Sequence, residues 1–317
     1  MIHYYAWEKN IVREVTGPNE AKWINVIGPL TNEEIDSLSE NLKLSSDFIT
    51  DPLDIEERAR YEKYDEGRSI ILHTPIINQV EKENEPIFIT VPLGIILCQN
   101  KIVTVCALEN SILDKFIESK IKNFNPTNER QFILQIFEQT VLLYLEYLKK
   151  LNMRRRLIEQ ELYNSSRSEE LKSLLRIEKS LVYFVNSLTA NELLKIKMKR
   201  TDFLNIKDNE ELLEIFEDII IDNNQAREVA QLYTNILNGT MEAYASIISN
   251  NLNIFINRLT IITTLLMVPT VIASFFGMNV PIPFGLGESK ISFFLIIFAT
   301  IGLSFGLSWF FRKKNIM

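Results

Sequence analysis

Residues 259–279 read LTIITTLLMVPTVIASFFGMN, and this stretch decides the fold. Leu259–Phe276 carries no charge, and Gly277-Met278-Asn279 closes it. A turn-rich connector of twelve residues, Asn279 to Lys290, leads to a second uncharged apolar run, Ile291–Phe311. A helix of about 20 residues, rising about 1.5 Å per residue, crosses the hydrocarbon layer of a bilayer. Both runs are close to that length, so two transmembrane helices are expected, at about 258–276 and at 291–311. Arg258 precedes the first and Arg312-Lys313-Lys314 follows the second, while the connector holds one Lys and one Glu. The positive-inside rule then puts both termini in the cytoplasm of a multi-pass protein of the cell membrane. Residues 277–290 become an extracellular loop, and 312–317 a basic cytosolic tail.

Working outward, the 317 residues hold an ordinary soluble domain besides the two spans. Only five of the 34 basic and one of the 41 acidic residues lie at or after Arg258, which leaves the preceding part with an excess of eleven acidic charges. That balance argues against nucleic acid as a partner and suits a cation. The start, Met1-Ile2-His3-Tyr4-Tyr5-Ala6-Trp7-Glu8, lacks the basic and apolar segments of a signal peptide. Cys98 and Cys106 have no His or Cys at metal-ligand spacing and read as reduced, buried thiols.

Prolines divide the soluble part. Seven of ten fall at or before Pro126, the next is Pro269, and the 142 residues between them contain a single glycine, Gly239. Such a segment has little to interrupt helix. Residues 1–126 read as a cytosolic α/β domain: Lys22–Ile27, Ser69–Ile77, Ile87–Leu97 and Lys101–Val105 are rich in β-branched and aromatic residues. Thr31-Asn32-Glu33-Glu34 is a capping box that opens a short helix, and Ser111–Lys122 forms another. Residues 127–207 read as a cytosolic helical hairpin, Asn128–Tyr163 and Glu169–Thr201, with Asn164-Ser165-Ser166 at its tip. Arg154-Arg155-Arg156 near that tip reads as a solvated helix face. A last helix, residues 208–276, is a stalk that continues without a breaker into the first span; at that length it is about 100 Å long.

Steps of three and four along this helix pass Asn253, Ile256, Thr260, Thr263, Met267, Thr270, Ser274 and Gly277, of which six are small or polar. An aligned stripe of hydroxyls in a span implies either close helix packing or a water-filled path. Asn250, Asn251, Asn253 and Asn257 lie just before it, with no charge between Glu242 and Arg258. Amide oxygens can bind the water shell of a divalent ion without trapping the ion. Magnesium gives up its waters reluctantly, so uncharged oxygen rings suit its conduction. Two spans enclose no pore, so a channel requires a cyclic homo-oligomer.

These residues resemble the CorA family of magnesium transporters. Gly277-Met278-Asn279 matches its Gly-Met-Asn signature at the expected place, the end of the first of two C-terminal spans, before a short outer loop and a basic tail. Leu259-Thr260-Ile261-Ile262-Thr263-Thr264 and Met267 are also similar to the family's first span. The likeness is close over roughly 208–317 and architectural before that. It implies a funnel-shaped homopentamer with Gly277, Met278 and Asn279 as the outer selectivity filter, where Asn279 contacts a hydrated ion. It further implies a pore lined by Asn253, Ile256, Leu259, Thr260, Thr263, Met267, Thr270 and Ser274, with Leu259 as an apolar constriction. Mg2+ is then both cargo and regulator, and Asp218, with Asp222 one turn on, falls at the stalk part of the regulatory cation site. Two departures stand out: Pro269 is one place later than in the commonest version, and Asn257 replaces the lysine of some members.

The expected function is passive uptake of Mg2+, driven by the membrane potential. Two inward charges gain roughly 4–5 kcal/mol per 100 mV, and no Gly-x-x-x-x-Gly-Lys-Ser/Thr loop is present. Transport of Co2+, Ni2+ or Zn2+ by the same architecture is the alternative, although zinc-exporting relatives carry valine where this chain has Met278. A membrane-anchored sensor or scaffold is a third reading. An enzyme is not expected, because no nucleophile–base or metal-ligand pattern occurs.

Overall fold

A computed structural model describes residues 1–8, 11–79, 84–164, 168–278 and 290–313. It divides into two compact units, Met1–Gly239 and Thr240–Met317, with the boundary inside one helix.

The first unit is built on a seven-stranded sheet. Its strands are β1 (Ile2–Glu8), β2 (Ile11–Val15), β3 (Trp23–Ile27), β4 (Arg60–Lys63), β5 (Arg68–Ile77), β6 (Phe88–Cys98) and β7 (Lys101–Cys106). They lie in the order β2-β1-β3-β7-β6-β5-β4, antiparallel except for the parallel pair β3–β7. The four strands expected from sequence are present, and three more, β1, β2 and β4, are added to them. Two of the added strands, β2 and β4, form the edges. Their sequences, IVREV and RYEK, are about half polar, and none of their residues is buried. Edge strands tolerate such charges because they bury one side at most.

Helices cover both sides of the sheet. Helix α1 (Asn32–Leu42) starts at the expected capping box, with Thr31 Oγ1 accepting from the Glu34 N–H and the Glu34 carboxylate accepting from the Thr31 N–H. Together with α2 (Asp47–Thr50) and a 3-10 turn at Asp51–Leu53, it buries Leu38, Leu42, Phe48 and Ile49 against Ile24 and Val26 of β3. Pro52 of that turn approaches the sheet so closely that a Cβ on Gly94 would lie 2.8 Å from its Cβ. Alternation along β3 puts Trp23 on the opposite side, where its ring meets Phe124 and Phe132 at 6.1 and 5.3 Å between centroids.

Helix α3 (Ser111–Ile117) is shorter than expected, because the chain turns at Ser119 and Asn123 with positive φ. Helices α4 (Glu129–Asn164) and α5 (Ser168–Thr201) are long, as the absence of proline requires. Arg155 departs from the expected solvated face: it is 8% exposed and its guanidinium binds Glu159 and Asn152.

Polar side chains fasten α5 to the sheet. Beyond the end of β4, the backbone of His73 on β5 is paired with Asn191 instead. The Asn191 amide oxygen accepts from the His73 N–H at 2.9 Å, and its nitrogen donates to the His73 carbonyl at 2.7 Å. Ser180 Oγ accepts from the N–H groups of Ile87 and Phe88. Buried helix residues here complete a ladder that the strand order leaves open.

Helix α6 runs from Glu210 to Phe276 and α7 from Lys290 to Lys313. In the first unit α6 buries Phe216, Ile219, Asn223, Ala226, Ala230 and Leu237. That is the period of one helical face. Arg227 and Glu217 of α6 reach Glu192 and Lys199 of α5 at 2.8 and 2.6 Å. Two helices, α6 and Phe293–Lys313 of α7, contain stretches long and apolar enough to cross a membrane.

Candidate functional site

The second unit holds the polar stripe. Asn253, Ile256, Leu259, Thr260, Thr263, Met267, Thr270 and Ser274 are all exposed on α6. Residues Ile261, Thr264, Leu265, Val268 and Ile272 are covered or half-covered. At about 100° per residue the covered set lies roughly opposite the stripe. Pro269 and Ile272 belong to an apolar groove of about 640 Å³ shared with Phe293, Ile297 and Ile301 of α7. Gly277, at the end of the stripe, lines that groove, whereas the stripe from Asn253 to Ser274 faces away from the chain's own second apolar helix.

The hydroxyls are held in a fixed way. Thr260, Thr263 and Thr270 donate to the carbonyls of Ile256, Leu259 and Leu266 at 2.8–2.9 Å. Each proton is thus turned back onto the helix, and both lone pairs of the oxygen are left free to accept. A row of outward acceptors without formal charge attracts a hydrated cation and excludes an anion.

At the C-terminal end of α6 Gly277 keeps a helical bond, its N–H donating to the Ala273 carbonyl at 2.9 Å, and Met278 is exposed. A Cβ on Gly277 would lie 3.1 Å from that carbonyl, so a side chain meets only a tight contact within the chain itself. Asn279 lies outside the described residues.

Asp218 and Asp222 are both exposed, one turn apart on α6. Among the described residues no group of three or more His, Cys, Asp or Glu side chains is placed to hold a metal ion. A cation bound at Asp218 would therefore need groups from outside this chain's described residues. A separate acidic cavity of about 360 Å³ is lined by Asp47, Asp51, Glu62, Asp65 and Glu66. It is occupied by Arg60, which pairs with Asp51 at 2.6 Å, with Glu62 at 3.1 Å and with Glu57. Burial raises the Asp51 pKa, and Arg60 offsets part of that rise. Sequence reading passed over this cluster, since its carboxylates converge only once β4 and the 3-10 turn are folded.

Residues 18–313 match the family model for CorA-like Mg2+ transporter protein. The cobalt/magnesium transport protein CorA of Methanocaldococcus jannaschii is 28% identical over 261 residues, 81% of this chain and 79% of that protein. The protein of the same name from Thermotoga maritima is 22% identical, over 81% of this chain and 72% of its own length. In three dimensions, the complete CorA magnesium transporter of M. jannaschii superposes with a TM-score of 0.80 at 23% identity, covering 100% of this chain and 99% of that one.

Proposed function

We propose, because this chain belongs to the CorA family of Mg2+ transporters, that it conducts Mg2+ into the cytoplasm through a homopentameric pore lined by five copies of the first span. The observation that carries this reading is the uncharged hydroxyl stripe of α6, exposed and turned away from α7. Five such stripes around an axis form rings of neutral oxygens that pass a hydrated divalent ion. Leu259, exposed on the same face, supplies an apolar ring that closes by dewetting. Gly277, Met278 and Asn279 form the filter at the outer mouth. Both termini lie in the cytoplasm, 277–290 outside, and the membrane potential supplies the driving force. The names of both relatives pair cobalt with magnesium, so Co2+ is the second substrate to test.

Flux into liposomes holding the purified protein, under an imposed potential negative inside, tests the whole reading. Mg2+ entry that grows with potential is expected, together with a particle of five chains. A stable monomer in mild detergent, or no metal entry, would overturn it.

Cytosolic Mg2+ closes this channel through Asp218 and Asp222. In a ring of stalks, a bound cation offsets the repulsion between these carboxylates and those of the next copy. Losing the cation loosens the ring and relaxes the constriction at Leu259. Asp218→Ala is expected to shift inhibition to internal Mg2+ about tenfold higher, within the usual range of coupling between sites. Unchanged inhibition would remove Asp218 from gating.

A further inference from the structure

Lys195 on α5 is completely buried. Its Nζ donates to Asn223 Oδ1 on α6 at 2.7 Å and stands 5.6 Å from the centre of the Phe137 ring on α4. Asn223 is also fully buried, and its nitrogen donates to the Leu188 carbonyl at 2.9 Å. An ammonium brings three donors and a full charge, whereas this seam offers one amide oxygen and a ring face. The ring face attracts a cation only weakly, and one amide oxygen leaves two of the ammonium's three N–H groups without an oxygen acceptor, so the neutral amine is the easier form to bury.

The surrounding charges do not compensate. On α5, Glu192 lies one turn before Lys195, but Arg227 of α6 holds its carboxylate at 2.8 Å. Lys199, one turn after, is paired with Glu217 of α6. Asp222 of α6 is exposed. On α4 the buried positions around Phe137 are Ile133, Ile136, Thr140, Val141 and Tyr144, and the one ionisable group there, the Tyr144 phenol, donates to the His73 carbonyl. Burial accordingly pushes the Lys195 pKa down to about 7, and Glu192 offsets only part of that.

We propose that Lys195 makes the seating of α6 on α5 a proton-sensitive contact, in which the neutral amine holds Asn223 and proton uptake loosens the grip. The sign follows from the depressed value. When the seam opens, the amine regains water and its ordinary affinity for a proton, so the open seam binds more protons than the closed one. Closure therefore strengthens as pH rises from about 7 toward the ordinary lysine range, by about tenfold per pH unit, and is level below that window. Because α6 continues unbroken to Phe276, the contact ties the packing of the transport helix to cytosolic pH near neutrality.

Hydrogen exchange on the full-length protein in lipid nanodiscs, from pH 6 to 9 and corrected for intrinsic rates, tests this. Peptides spanning 188–200 and 216–230 should gain protection about tenfold per pH unit above 7.5 and stay level below 7. Lys195→Met and Lys195→Gln should both be flat across the range. Lys195→Gln keeps a donor for Asn223 and decides the matter if Lys195→Met does not fold. Equal slopes in wild type and Lys195→Gln, or a flat wild type, would overturn the proposal. The readout involves no transport, so it stands or falls apart from the channel reading.

Discussion

Asn279→Ala is expected to lower Mg2+ uptake on the order of a hundredfold while leaving folding and assembly intact. In the proposed filter the Asn279 amide oxygen would accept from ion-bound water. One hydrogen bond to a charged group contributes about 1.5–3 kcal/mol, and about 1.4 kcal/mol is a factor of ten in an equilibrium. The proposed pentamer would repeat the contact five times, so the expected loss at the entry site is at the upper end of that range even with partial replacement by water. Gly277→Ala should be milder for a single chain, since its Cβ would meet the Ala273 carbonyl at 3.1 Å and the Ser274 carbonyl at 3.7 Å; its effect would come from crowding in the proposed ring. The check is metal entry in liposomes at matched protein content. Wild-type entry by Asn279→Ala would refute the filter.

The helical part of this molecule was legible because composition decides it. A stretch without proline and with one glycine gave α4, α5 and α6 to within a few residues of their ends. The central strands were legible for a similar reason: β6, FITVPLGIILC, is buried almost throughout, so its sequence is apolar without alternation. The edge strands β2 and β4 escaped because they are short and charged, with no buried residue, and so look like loop. Lys195 escaped for the opposite reason. Within Lys195-Ile196-Lys197-Met198-Lys199-Arg200 it reads as one of several solvated cations, and only the packing of α6 on α5 buries it. The polar stripe was visible because it depends on spacing along a single helix. A cation site assembled between copies leaves no such spacing, so Asp218 came from family resemblance alone.

Phe132→Ala should cost about 3–5 kcal/mol, the range for removing a buried aromatic ring. Phe132 is fully buried near the start of α4, and its ring lies 5.3, 5.1 and 4.7 Å from those of Trp23, Phe116 and Phe124. This cluster joins β3, α3 and α4. Each ring pair contributes about 0.5–1.5 kcal/mol beyond the area it buries. The cavity left by the ring cannot collapse easily, because Trp23 is fixed from behind by its indole N–H donating to Thr104 Oγ1 at 2.9 Å. Domains have only about 5–15 kcal/mol of stability in all, so the loss is a large share. Leu142→Ala on the same helix, where the side chain is 45% exposed, should stay within about 0.5 kcal/mol and serves as the control. Denaturant unfolding of the purified protein gives both values, and a cost near 1 kcal/mol for Phe132→Ala would show that the cluster repacks. Transport then separates the two kinds of damage. Phe132→Ala should reduce the amount of assembled protein but leave flux per pentamer near wild type, because no residue of the pathway is touched. Asn279→Ala should do the reverse, with normal amounts and lost flux. A fall in flux per assembled particle for Phe132→Ala would mean that the α/β unit influences conduction, and would move the proposed gating from the stalk carboxylates to the packing of the sheet.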